Sequence, residues 1–347
     1  MTPRERWEAV FRRQKPDRVP MDYWSTPETD AKLMRHLGCA TKQEMLEKLH
    51  VDLVVKVRPR YAGPSLPPDT DVFGRRFRDV DYGTGVYREC VHFPLGGFKS
   101  VAEVERNYVW PSADWWDYGG IKDEVRGLED YPIQGGDCEP FLIYKELRGQ
   151  EQAYIDLIEN PELVHYCLDK LFALAYEDAR RIYEALPGRV MLTYVAEDMG
   201  GQTDLLFSVR HIEEFLLPGM KRMIDLAHEA GAYVFHHNDG ACWRIVPRLI
   251  ELGIDLLNPL QWRSPGMERE RLKRDFGARV VLHGGMDNQY TLPFGTVAEV
   301  RQEVLDNLRI LGEGGGYILA PCHNIQALTP VDNIRAMYET GYEHGWT

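Results

Sequence analysis

Basic residues are in deficit: 41 Lys and Arg stand against 54 Asp and Glu, a formal net charge of −13 at pH 7. Phosphate contacts need clustered cations, and here the cations are scattered among a larger number of carboxylates, so a nucleic-acid partner is excluded. Long apolar runs are also missing. No stretch approaches the ~20 apolar residues needed to cross a bilayer, and the opening Met1-Thr-Pro-Arg-Glu-Arg has no apolar signal region. A membrane partner is therefore not expected, and the cytoplasm is the expected address. Cysteine is sparse: Cys39, Cys90, Cys138, Cys167, Cys242 and Cys322 form no Cys-x-x-Cys pair and read as free thiols in a reducing compartment. No Gly-x-Gly-x-x-Gly turn supports a dinucleotide site, and no repeat, low-complexity tract or Ser/Gly linker divides residues 1–347. What is present, 44% hydrophobic and 27% charged residues, suits a globule with a large core.

Trp7, Val10 and Phe11 fall at helical spacing within residues 1–15, and Lys15-Pro16-Asp17 ends that helix before residues 18–24, which read as a strand. Residues 51–59 form the next β-branched run. Residues 61–120, with Asp81-Tyr-Gly-Thr-Gly85 and several aromatics, read as an irregular hairpin and loop excursion. From about residue 160, helical segments alternate with apolar runs at 189–195, 232–237, 254–259, 279–284 and 316–320, the pattern of parallel strands with crossover helices. With two or three earlier strands the total approaches eight. A single α/β domain closed as a (β/α)8 TIM barrel is the expected architecture, and an open doubly wound sheet shares the same local pattern.

In a parallel barrel the site lies at the C-terminal strand ends. Those ends carry Glu197-Asp198, His237-Asn-Asp239, Asn258 and Gln261, His283 with Asp287, and Cys322-His323. His237 and Asp239 are the sharper pair, because side chains at i and i+2 share one strand face and can converge on one ion. A third ligand from the last strand, Cys322 or His323, completes three donors and leaves one open position, as catalytic zinc requires. Glu197 and Asp198 point opposite ways, and Glu197 is chosen as the mouth-facing carboxylate. Duller roles exist for each: a turn or cap for Asp239-Gly240, a helix cap for Glu197 and Asp198, a packed histidine for His283.

At these residues the sequence resembles the uroporphyrinogen decarboxylase superfamily, which also contains zinc-dependent, corrinoid-linked methyltransferases. The resemblance covers nearly the whole chain. It rests on the Met1-Thr-Pro-Arg-Glu-Arg-Trp opening with Arg18-Val-Pro, on Asp52, Glu197-Asp-Met-Gly, His236-His-Asn-Asp-Gly240 and Gly285-Met-Asp287, and on Cys322-His-Asn-Ile with Thr329-Pro-Val-Asp-Asn333. It implies one distorted (β/α)8 barrel. The methyltransferase branch carries His-x-Cys where this chain has His237 and Asp239, and a Cys six residues before Thr-Pro, where this chain has His323 beside Cys322. The decarboxylases carry an Arg-Gln-Ala-Gly-Arg segment for the substrate's carboxylates, whereas this chain has Val19-Pro-Met-Asp-Tyr-Trp24, with Arg58 and Arg60 as partial substitutes.

The resemblance thus implies a zinc-dependent methyltransferase that moves a methyl group between a small oxygen-linked donor and the cobalt of a corrinoid carried by a separate partner protein. Glu197 or His283 would supply a proton to the leaving group. Asp52, Arg60, Tyr61, Gln261 and Asp287 are the candidate substrate contacts, and Tyr23, Trp24 and Trp262 are candidate pocket walls. Two alternatives stand beside it: a decarboxylase of a tetrapyrrole, with Asp52 organising pyrrole nitrogens, and a non-enzymatic barrel that binds a corrinoid or tetrapyrrole. A homodimer is left open.

Overall fold

The computed structural model describes residues 1–345. The apolar runs pair in chain order into one curled, seven-stranded parallel sheet: β1 Val55–Lys56, β2 Ile133–Cys138, β3 Val190–Val195, β4 Tyr233–His237, β5 Leu256–Asn258, β6 Val281–Met286 and β7 Tyr317–Pro321. Alternation then sorts side chains between the inside of the curl and the helices outside. Leu192, Phe235, Leu256, Val281 and Ile318 form a buried inner cluster, and two residues further along β4, β5 and β6 the same faces carry His237, Asn258 and His283. The inside of the sheet therefore passes from apolar to polar toward the C-terminal strand ends.

The N-terminal helix Pro3–Phe11 starts in a capping box formed by Thr2 and Glu5 and contributes Trp7 and Val10 to the inner cluster. Trp7 Nε1 donates to the Asp52 carbonyl at 3.2 Å. Residues 18–24, expected as a full strand, make isolated parallel bridges instead, Met21 with Leu319 and Ser25 with Ile325. Pro20 has no N–H to give to a ladder, although its carbonyl accepts from Leu319 N at 2.9 Å. On the other side the Met21 carbonyl accepts from Asp52 N at 2.8 Å, so this segment lies between β7 and the approach to β1.

Asp52, expected to contact substrate, is instead the clamp of this corner. Its fully buried carboxylate accepts from Arg18 at 2.7 and 3.0 Å, from Arg6 at 2.9 Å and from Met21 N at 3.0 Å.

The strand missing from the sequence reading is β2. Its Gly135-Gly136 centre hides the apolar pattern, and the structure supplies the reason for the glycines: a Cβ at Gly135 would lie 2.8 Å from Ile182 of the helix Pro161–Ala185. Residues 61–120 hold the antiparallel hairpin Arg76–Asp81 with Val86–His92, the helix Val101–Asn107 and a short ribbon pairing Arg60–Tyr61 with Trp116–Asp117. Among the described residues no helix is long and apolar enough to cross a membrane.

Candidate metal centre

A cavity of about 900 Å³ opens at the C-terminal strand ends, lined by residues from β1 to β4 and by the chain after β7. His237 and His323 of its wall and the adjacent Asp239 each offer one ligand atom, and these atoms all lie within 4.8 Å of one another. His237 Nε2 is 3.7 Å from Asp239 Oδ1 and 3.8 Å from Asp198 Oδ1, and His323 Nε2 is 3.8 Å from Asp239 Oδ2.

The loops after β3 and β4 are joined tightly, which holds Asp198 and Asp239 together. Asn238 Oδ1 accepts from the Met199 and Gly200 amides at 2.9 and 3.1 Å, and Asp198 Oδ1 accepts from Asp239 N at 3.0 Å. The backbones approach so closely that a Cβ at Gly240, whose φ is +78°, would sit 2.3 Å from the Gly201 carbonyl. Both glycines of the Asp-Met-Gly and Asn-Asp-Gly segments thus serve loop contact.

The electrostatics favour a cation. Burial pushes the Asp239 carboxyl up, and the neighbouring Asp198 charge adds to it. Glu139, at the end of β2, is raised to about 8, chiefly by burial and then by Asp198. Asp239 Oδ1 is buried without a hydrogen-bond partner, an arrangement that costs stability unless something cationic or protonated meets it. Two imidazole nitrogens and one carboxylate oxygen form a donor set that suits zinc with one position free. The residues present therefore fit such an ion.

Other expected site residues lie elsewhere. Glu197 is buried away from the cavity and its Oε1 accepts from Phe141 N at 2.6 Å, at the start of the helix Pro140–Arg148; Asp198 faces the cavity in its place. The two adjacent carboxylates do point opposite ways, with the chosen one exchanged. His283 is 1% exposed, with Nδ1 2.7 Å from Asn258 Nδ2 and Nε2 3.1 Å from Asp22 Oδ2. Cys322 is buried, and its thiol donates to the Leu260 carbonyl at 3.1 Å, outside the three-residue group. Gln261 accepts from Gly240 N at 2.5 Å, and Asp287 pairs with Arg263 at 2.5 Å; both line a neighbouring crevice. Arg60 is bound to Asp117 at 3.0 Å and Tyr61 donates to the Pro64 carbonyl at 2.7 Å, both outside the cavity lining. Glu139 and Asp22, which do line it, were missed. Glu139 follows the unrecognised strand, and inspecting that strand's end would have found it.

Comparison with known proteins agrees with this architecture. The family model described as Uroporphyrinogen decarboxylase (URO-D) matches residues 122–344. A uroporphyrinogen decarboxylase of Anaeromyxobacter dehalogenans (strain 2CP-C) is 30% identical over 237 residues, 65% of this chain and 64% of that protein. That of Anaeromyxobacter sp. (strain Fw109-5) is 24% identical over 233 residues, 65% and 63% respectively. The matches thus span just under two thirds of these relatives' lengths. A solved "methyltransferase from Methanosarcina mazei" is 19% identical with a TM-score of 0.67 over 99% of both chains, a likeness of fold. Since the family model covers well over half of the sequence and includes every strand of the sheet from β2 onward, the chain belongs to the uroporphyrinogen decarboxylase family.

Proposed function

We propose that this chain is a zinc-dependent methyltransferase, a distorted (β/α)8 barrel with residues 20–22 in the eighth strand position. It moves a methyl group between a small oxygen-linked donor, a methyl ether or methanol, and the cobalt of a separate corrinoid protein. The observation that carries this reading is the convergence of His237, Asp239 and His323 from two strand ends on one cavity. When bound, zinc supplies Lewis acidity toward a substrate oxygen, and a nitrogen and carboxylate donor set leaves it harder than thiolates would.

The chain's own residues hold the organic part and manage the proton. Trp24 stacks on Phe235 at 5.9 Å and on His237 at 5.6 Å, and Tyr194 stacks on Phe235 at 5.9 Å, making an aromatic floor that excludes water. Glu139 faces this floor and gives its proton to the departing oxygen. A multiply anionic tetrapyrrole suits the cavity less well. Among its cations Lys42, Arg58 and Arg75 are already paired with Asp30, Asp137 and Asp71 and Lys56 lies over the Trp24 ring, while Asp22, Glu139 and Asp198 also line it. The decarboxylase names of the curated relatives keep that second reading open to the same assay.

The test supplies zinc-loaded protein, a reduced corrinoid protein and methyl ethers or methanol, and follows cobalt methylation by absorbance. Zinc-dependent methylation is expected. Uroporphyrinogen turnover that is indifferent to metal removal would establish the decarboxylase reading instead.

Glu139 also predicts a pH dependence. Its folded pKa of about 8 lies above the ordinary 4.5, so between these values the folded chain holds a proton that the unfolded chain has released. This stabilisation is complete below the ordinary value and is lost as pH rises toward about 8. Denaturant midpoints of the metal-free chain should fall across that window, and Glu139→Gln should make the fall shallower, the raised Glu197 and Asp239 supplying the remainder. A bound cation draws the pKa down, so the alkaline limb of methyl transfer should sit at or below pH about 8. Equal slopes in the wild type and Glu139→Gln would refute the assignment.

A further inference from the structure

We infer that Asp22, His283 and Asn258 form a positioning relay that locks His237 in the Nδ1-protonated tautomer and so turns the Nε2 lone pair toward Asp239 and His323. The inference rests on the zinc reading for its purpose, but its geometry stands independently.

Three consecutive hydrogen bonds link the residues. Asp22 Oδ2 is 3.1 Å from His283 Nε2, His283 Nδ1 is 2.7 Å from Asn258 Nδ2, and Asn258 Oδ1 is 2.6 Å from His237 Nδ1. All four side chains are buried: Asp22 is 6%, His283 1%, Asn258 0% and His237 5% exposed. Directions follow from chemistry, starting at the far end. An ionised Asp22 only accepts, and it already takes Tyr23 N at 2.8 Å and Trp24 Nε1 at 2.9 Å. Burial would raise its carboxyl, yet the His283 hydrogen bond and these donors bring it below the usual value.

His283 Nε2 therefore carries a hydrogen, and Nδ1, which faces Asn258 Nδ2 at 2.7 Å, is the acceptor of that pair, because an amide nitrogen only donates. With its NH₂ group given to His283, Asn258 turns its amide oxygen to His237. An oxygen at 2.6 Å from a ring nitrogen requires a donor, and His237 Nδ1 then bears the proton. Nε2 is left with a lone pair, aimed where Asp239 Oδ1 lies 3.7 Å away. A buried carboxylate three hydrogen bonds distant thus selects which nitrogen the cavity receives.

Two substitutions at one position separate positioning from packing. Asn258→Asp keeps an acceptor for His237 Nδ1, whereas Asn258→Leu has a similar volume and none. Zinc affinity, measured by competition with a chromophoric chelator, should fall about 10–100-fold in Asn258→Leu and stay within a few-fold of wild type in Asn258→Asp. On unsubstituted, metal-free protein, ¹⁵N-labelled histidine NMR should report His237 as the Nδ1-protonated tautomer, a readout that survives if Asn258→Leu does not fold. An Nε2-protonated His237, or an Asn258→Leu affinity equal to wild type, would overturn the relay. If the wild type binds no zinc while the NMR tautomer is as expected, the zinc reading fails and the relay stands.

Discussion

His237→Ala and Asp239→Ala should each bring zinc below a tenth of an equivalent per chain after dialysis and slow methyl transfer by at least about 10³-fold. Three protein donors would hold the ion in the proposed centre, so losing one leaves two, too few to retain zinc in a catalytic site with an open position. Lewis-acid stabilisation is worth several kcal/mol, and each ~1.4 kcal/mol is tenfold in rate. Cys322→Ala provides the contrast. Its thiol is bonded to Leu260 O and lies outside the group, so zinc occupancy should remain that of wild type. Elemental analysis of the purified variants decides. Full occupancy in both His237→Ala and Asp239→Ala would remove the centre, and loss in Cys322→Ala would exchange its third ligand.

Asp52→Ala should destabilise the protein by about 3–5 kcal/mol, the cost of stripping the partner from a buried ion pair. Arg18 and Arg6 have side-chain exposures of 5% and 14%, and both point at a carboxylate with none. Removing that carboxylate leaves guanidinium charge in the interior, along with an unpaired Met21 amide. The damage falls where residues 20–22 meet the approach to β1. Denaturant unfolding measures the loss, provided the transition is two-state. The folded fraction should retain wild-type zinc content, because Asp52 is absent from the cavity wall. A variant of unchanged stability with impaired turnover would instead restore Asp52 as a substrate contact.

Strands β3 to β7 were legible because fully buried parallel strands are short apolar runs between helices and glycine stops, a pattern local in sequence. β2 was not, because close contact with the helix Pro161–Ala185 replaced apolar side chains by Gly135 and Gly136. Residues 18–24 were read as a full strand from their composition. Which hydrogen bonds residues 18–24 make depends on Leu319 and Asp52, far away in the chain.

The same division runs through the site. Sequence alone determined that chemistry-bearing residues crowd the C-terminal ends of the apolar runs, and the period of two put residues 237 and 239 on one face. β4 ends at His237, and it is the hydrogen bond from Asp239 N to Asp198 that holds residue 239 beside it. Sequence left the phase of each strand open. On β3, Thr193 turns outward to bond Tyr183 and the Gly135 carbonyl while Tyr194 lines the cavity, so the continuing alternation brings Asp198 inward and Glu197 outward. Past β7 even the alternation fails. Ile318 is in the inner cluster, which would put Cys322 inside, yet the chain leaves the sheet at Pro321 and it is His323 that enters the cavity. Alternation holds only while a ladder holds the backbone, and where the ladder ends, contacts with distant segments decide which side chain faces in.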